Sequence, residues 1–354
     1  MDKNTILNAL KQVKYPGFSR DIVSFGLVRN ISLRGEGADV ILSVSTSDPS
    51  LPDHLRNAAH AALHNAGLDT ASINIAIESH PLPATTQNTA NADTPPPIEG
   101  VRCLIAVASG KGGVGKSTIA VNLACALARE LTARKRPAQT GLLDCDIYGP
   151  SVPLMFGLHT RPDIEGDVLI PLERFGVKVM SLGFLIDEDA PVIWRGPMVM
   201  KTIRQFTSKV AWGNLDVLVA DLPPGTGDAP LSLAQAAKID GAIIVTTPQT
   251  SAATVARRGA ALFDRVGVPL LGVVENMSYM ETATAGRRAI FGSGGGAETA
   301  RATGTEFLGQ VPFDEVVREG SDNGVPCVIS HPNSPASAIF TKIAQRVLEK
   351  VAIV

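Results

Sequence analysis

The run VRCLIAVASGKGGVGKST, residues 101–118, carries the change of period that decides the fold class. Val101 to Ala108 is apolar and rich in Val and Ile, the pattern of a buried strand, and Ile119 to Leu131 places Ala and Leu at helical spacing. Between them, Gly110-x-x-x-x-Gly115-Lys116-Ser117 fits the P-loop spacing of strand, phosphate loop and helix. Gly110, Gly112, Gly113 and Gly115 let the backbone reach φ > 0 and come close to a ligand. Successive N–H groups along the loop, from Gly110 through Val114 to Thr118, together with the helix N-terminus, can then wrap β- and γ-phosphates. Lys116 supplies a point charge to those phosphates, and the Ser117 hydroxyl is placed to ligate Mg²⁺. A glycine-rich turn with an accidental Lys-Ser pair is the competing reading, and the flanking strand and helix argue against it.

Lys111 follows the first glycine of the loop. The spelling GKGGVGKS resembles the deviant Walker A of the MinD/ParA/nitrogenase-iron-protein class of dimeric NTPases. That resemblance implies that Lys111 reaches across a dimer interface to the partner's nucleotide, and hence a homodimer. A solvated loop lysine is the alternative.

The 354 residues exceed the length of one typical core, and 45% hydrophobic with 19% charged residues is the composition of a soluble globular protein. A formal charge of −2 argues against a constitutive grip on nucleic acid or on an anionic membrane. No apolar run approaches the length of a membrane span, and MDKNT lacks the features of a signal peptide, so the expected location is cytoplasmic. Cys103, Cys125, Cys145 and Cys327 are scattered without a C-x-x-C pair. Scattering of this kind reads as buried thiols rather than a disulfide framework or a zinc site.

Three regions are expected: residues 1–79 as a small α+β domain, 80–100 as a flexible linker and 101–354 as a P-loop ATPase domain. In the first, Asn4–Val13 and Pro52–Asn65 read as helices, and Ile22–Leu33, Ala38–Thr46 and Ala71–Ile77 as strands. His60 and His64 share one face of the second helix, without a carboxylate or cysteine partner in the pattern. The linker, HPLPATTQNTANADTPPPIEG, is too polar and proline-rich to bury the area that would offset its ordering entropy. Beyond it, strands are expected at Gly141–Cys145, Val177–Leu182, Asp216–Asp221, Gly241–Thr246, Leu270–Glu275 and Glu306–Val311. Helices are expected at Ser117–Leu131, Met198–Ala211, Ala229–Ala237, Ala252–Val266, Ala297–Ala302 and Ala336–Glu349. This alternation predicts a mostly parallel sheet with helices on both faces and ligands at the carboxyl ends of its strands.

Acidic residues leave two of those strands. Asp144-Cys145-Asp146 precedes Tyr-Gly-Pro, where a carboxylate can either position a water beside the P-loop or simply cap a turn. The MinD/ParA resemblance implies the first role for Asp146. The run DVLVAD, ending at Asp221, is the Walker B arrangement, in which the carboxylate holds Mg²⁺ through water, and Gly225 in the following loop can offer its N–H to a γ-phosphate. Asn276 stands where this class reads the adenine ring, with an amide that suits a purine edge. The turn at Pro312 looks like a second base-contacting loop. Hydrolysis would rest on positioning and charge neutralisation by Lys116, Mg²⁺ and Lys111, and is expected to be slow.

The segments GKGGVGKST, LLDCDIYGPSVP, IWRGPM, DVLVADLPPGTGD, ENMSY, IFGSGGG and REGSDNGVP, in this order, resemble the Mrp/NBP35 family of P-loop iron–sulfur cluster carriers, and the first unit resembles a MIP18-like domain. The resemblance implies a SIMIBI-type P-loop ATPase that binds ATP and Mg²⁺, works in iron–sulfur cluster assembly, and meets scaffold or apo-client proteins. It also implies a C-x-x-C after Asn-Met-Ser, through which two protomers share a 4Fe–4S cluster. In this chain Thr282 and Ala285 stand at those positions, and neither side chain can ligate iron as a thiolate does. A cluster-free ATPase switch of the MinD/ParA kind is the alternative reading.

Overall fold

The structure, a computed structural model, describes residues 2–13, 21–23, 27–34, 37–45, 51–80, 95–135, 140–146, 149–185, 196–225, 228–282 and 286–353. The chain divides into two units, Met1–Asp93 and Thr94–Val354.

In the first unit, α1 (Lys3–Leu10) and α2 (Leu51–Asn65) accompany a sheet of β1 (Val28–Arg34), β2 (Gly37–Ser45) and β3 (Ile73–His80). β1 and β2 pair antiparallel, β2 and β3 parallel. Alternation makes the core: Val40, Leu42, Ile73 and Ile75 are buried with Ile6, Leu10, Leu55 and Leu63 from the helices. The strand expected from Ile22 begins only at Val28. Ile22 donates its N–H to the Val13 carbonyl and accepts from Leu27, so its backbone groups are engaged before β1 begins. His60 is partly buried and His64 exposed on α2, and no metal-binding group of three or more His, Cys, Asp or Glu occurs among the described residues.

The second unit begins earlier than composition suggests. Residues 81–94 lie outside the described residues, but Pro96 accepts a hydrogen bond from Lys238, Ile98 is 5% exposed in the main core, and Gly100 accepts one from Leu215. The end of the expected linker is therefore fastened to the large unit, because backbone partners there offset its ordering cost.

Its elements run β4 (Leu104–Ser109), α3 (Lys116–Ala133), β5 (Thr140–Asp144), α4 (Val152–Met155), β6 (Ile164–Glu165), β7 (Val168–Leu169), β8 (Leu172–Arg174), β9 (Val177–Ser181) and α5 (Gly196–Ser208). They continue with β10 (Val217–Asp221), α6 (Asp228–Ala236), β11 (Gly241–Thr246), α7 (Thr250–Arg265) and β12 (Leu270–Glu275). The last are β13 (Met280–Thr282), β14 (Gly286–Arg288), α8 (Gly295–Ala302), β15 (Phe307–Gln310), α9 (Glu315–Asp322), α10 (Cys327–Ser330) and α11 (Pro335–Lys350).

One eight-stranded sheet takes the order β15-β12-β11-β4-β10-β5-β9-β8. All its pairings are parallel except that of the edge strand β8. Every residue of β4, β5, β10 and β11 is buried, as expected of strands covered by helices on both faces. From β4 the chain crosses through α3 to β5 on one side, whereas β10 leads through α6 to β11 on the other. The carboxyl end of β4 is thus a topological switch point, the place where open α/β sheets bind their ligands. The small hairpins β6–β7 and β13–β14, the edge strand β8 and the short helices α4, α9 and α10 were not expected; each is too short or too polar to print a period on the sequence. No described helix is long and apolar enough to cross a membrane.

Candidate nucleotide site

The loop from Gly110 to Gly115 joins β4 to α3, as the spacing requires. Two of its glycines are dictated by neighbours. A Cβ on Gly110 would stand 2.4 Å from the backbone carbon of Val255, where α7 presses on the loop. Gly115 is left-handed at φ +77°, and a Cβ there would meet the Asn276 Nδ2 at 2.1 Å. No side chain caps α3, so its first amides remain directed at the loop with the positive end of the helix dipole. Val114 is buried, while Gly112 and Gly113 are exposed and Ser117 and Thr118 half-buried.

Lys116 is only 5% exposed. Its Nζ lies 2.5 Å from Asp221 Oδ1, 3.3 Å from Ser117 Oγ and 3.7 Å from Asp146 Oδ2. The structure therefore brings together the P-loop lysine and the two acidic residues singled out from the sequence. Asp221 ends β10, next to β4, and Asp146 follows β5 on the far side of β10. The Asp221 Oδ2 is buried and makes no hydrogen bond. A buried carboxylate oxygen of this kind, on a residue that shares Lys116 Nζ with the Ser117 hydroxyl, suits a hard, oxygen-seeking cation such as Mg²⁺.

Asp144, directly opposite Asp221 in the sheet register, is fully buried. Its Oδ1 accepts the Asp146 N–H at 3.0 Å and its Oδ2 the Ser181 hydroxyl at 2.8 Å. Burial, followed by the nearby Asp221 charge, pushes its carboxyl up to about 7. The sequence reading passed over Asp144 as a site residue and over Ser181 entirely. The DxD spacing was the available signal for the first, and nothing marks the second.

The other residues singled out from the sequence lie around the loop, where they meet protein partners instead of the nucleotide contacts expected of them. Lys111 is partly exposed, its Nζ 3.2 Å from Gln249 Oε1 at the start of α7. The Gly225 N–H donates to the Ser109 carbonyl at 2.9 Å, which ties the loop after β10 to the end of β4. Asn276 is buried and donates from Nδ2 to the Val114 carbonyl at 2.9 Å, so it braces the P-loop backbone directly. Pro312 is buried beside Val311, whose carbonyl accepts from Ser278.

The four cysteines are 0–4% exposed. Desolvation raises every one of their thiols above the ordinary value, Cys103 to about 12 and Cys327 to about 11, with Cys125 and Cys145 raised by the same cause. Thr282 closes β13 and donates its hydroxyl to Gly286 at 3.1 Å, while Ala285 lies outside the described residues.

The family model described as NUBPL iron-transfer P-loop NTPase, of the ParA group, matches residues 100–348. The chain belongs to that family. A second model, described as an iron-sulfur cluster assembly protein, matches residues 3–75 of this NUBPL-type chain. An iron-sulfur cluster carrier protein of Helicobacter pylori is 42% identical over 353 residues, covering 98% of this chain and 92% of its own length. Among solved structures, a nucleotide-binding protein from Archaeoglobus fulgidus in complex with ADP is 40% identical, with a TM-score of 0.55 over 64% of this chain and 88% of that one. The cell division ATPase MinD of Pyrococcus furiosus shares the fold at 24% identity, with a TM-score of 0.54 over 70% of this chain and 99% of its own.

Proposed function

We propose that this NUBPL-type P-loop NTPase binds ATP with Mg²⁺ and hydrolyses it slowly as a homodimer, and that it serves iron–sulfur cluster assembly or delivery, with a cluster as cargo and scaffold or apo-client proteins as partners. The observation that carries the reading is the placement of Lys116 between Asp221 and Asp146 at the head of an uncapped helix.

Loop amides and the α3 N-terminus hold the β- and γ-phosphate oxygens, and Lys116 exchanges its carboxylate partner for phosphate charge. Ser117 and Asp221 would hold Mg²⁺, which supplies charge neutralisation on the phosphates when bound. Asp146, whose backbone Asp144 fixes, orients the attacking water through its carboxylate. Lys111, partly exposed, adds its charge to the partner's nucleotide across the dimer. In this reading Asn276, its Nδ2 held by the Val114 carbonyl, offers its amide oxygen to the base, with the Pro312 turn as the second base contact.

For the cargo, this chain's own residues do not fit a cysteine-bridged cluster: Thr282 stands at one expected ligand position, and all four thiols are buried. In this reading cluster ligands come from the partner protein or from another site on the chain. The same burial favours a second reading, a cluster-free ATP-driven switch of the MinD/ParA kind.

Anaerobic incubation with iron, sulfide and an apo-client, with and without ATP, decides between them. ATP-dependent gain of cluster absorbance on the client supports the carrier reading. Intact ATPase activity without transfer supports the switch, and absence of ATP binding ends both.

A further inference from the structure

Glu275 is a carboxylate at zero exposure that the chemistry above leaves unused. It accepts from the Ser278 hydroxyl and from Gln310 Nε2 at 3.0 Å through Oε1, and from the Gly296 N–H at 2.6 Å through Oε2. Those donors lie in three separate segments: the turn after β12, the end of β15, and the first turn of α8. Gly296 has no room for a side chain, since a Cβ there would stand 2.6 Å from the Glu275 Cβ.

The turn that Glu275 secures is strained. Met277 is left-handed at φ +53°, a conformation that a long side chain adopts only when its surroundings over-determine it. On one side of this turn, Asn276 donates to the Val114 carbonyl, and Gly115 is confined by the same amide. On the other side, Ser278 donates to Val311, and Tyr279 accepts from Phe313 and lies under the Arg287 guanidinium of β14, 4.2 Å from its ring centre. Four consecutive residues therefore join the phosphate loop to the base of the β13–β14 hairpin.

We propose that Glu275 is a positioning residue that locks the strained turn Asn276–Ser278, so that occupancy of the phosphate loop is transmitted to the paired strands Met280–Thr282 and Gly286–Arg288. The proposal rests on the nucleotide-binding reading of the site. A shift of the Val114 carbonyl on phosphate binding must move or release Asn276. With Glu275 clamping the next residues to α8 and β15, the turn responds as one body and the hairpin is displaced with it. Without the clamp, the Met277 backbone can relax locally and the displacement stops there.

Hydrogen exchange of the full chain with and without MgADP tests this. In the wild type, MgADP is expected to slow exchange in the loop around residues 110–118 and to change it at least about threefold in 278–288. In Glu275→Ala the loop response stays and the hairpin response is lost, with MgADP affinity within about fivefold of wild type. Glu275→Gln retains the hairpin response, because the Ser278 hydroxyl can rotate and the Gln310 amide can turn to meet it. If the Ala variant does not fold, Ser278→Ala and Gln310→Ala, each removing one donor, take its place and should weaken the hairpin response. A wild-type hairpin indifferent to MgADP, or an Ala variant that keeps the full response, overturns the proposal and leaves nucleotide binding standing. Absence of any response in residues 110–118 overturns both.

Discussion

Lys116 and Asp221 form a buried ion pair, Nζ to Oδ1 2.5 Å, with side-chain exposures of 5% and 0%. The lysine opens α3 and the aspartate closes β10, 105 residues later. The pair marks the point where the P-loop and the Walker B strand meet, and it sets the electrostatic character of the site.

Lys116→Ala should abolish ATP binding and destabilise the nucleotide-free protein. Removing one partner of a buried pair costs about 3–5 kcal/mol because the other charge is left uncompensated. Pairing it with Asp221→Asn should recover much of that loss without restoring binding. Calorimetric titration with ATP and thermal denaturation check the two parts, and undiminished ATP affinity in the single variant would contradict the site.

Lys111→Ala should leave nucleotide affinity within about twofold, since the side chain is bonded to Gln249 and contributes at a partly exposed position. Turnover should fall by about 10³-fold if its charge completes the partner's site as an arginine finger does. ATP-dependent dimer formation, followed by sedimentation, should weaken in parallel. A fully active variant would remove the cross-protomer role.

Asp144 supplies a pH signature. Its carboxyl is raised from the ordinary 3.8 to about 7 by burial and by Asp221, so the folded state binds a proton that the unfolded chain has lost. Stability from this group is therefore greatest below the unfolded value and declines as pH rises through about 4 to 7, the reverse of a salt-bridged carboxylate. In metal-free buffer, Asp144→Asn should flatten that decline, read as the difference in melting temperature between variant and wild type across the window. Parallel curves would mean that Asp144 titrates normally.

Thr282→Cys with Ala285→Cys should convert the hairpin into a cluster site. Wild type reconstituted anaerobically with iron and sulfide should stay colourless, because its four thiols are buried and protonated. The double variant should gain visible absorbance and a shared cluster between two protomers. Equal colour in the wild type would show that another ligand set exists.

The sequence alone was enough for the P-loop, for the parallel sheet and for the approximate bounds of its long helices. Strands buried on both faces and helices of three or more turns impose a period, and a phosphate loop needs glycine and lysine at fixed spacing; these are local demands, written where they act. Thr282 and the scattered cysteines were equally plain in the chain, since an absent ligand is a matter of composition. Only the tertiary structure revealed that Asp144 leans on Ser181 37 residues away, that Gln249 receives Lys111 from 138 residues away, and that Glu275 gathers donors from α8 and β15. These contacts cross the sheet between segments with no common period, and polar side chains are selected for partners whose positions exist only after the strands have been ordered. Pro96 to Gly100 make the same point from the other direction: read for composition they belong to a tether, and the backbone partners that hold them are supplied by residues more than a hundred positions further on.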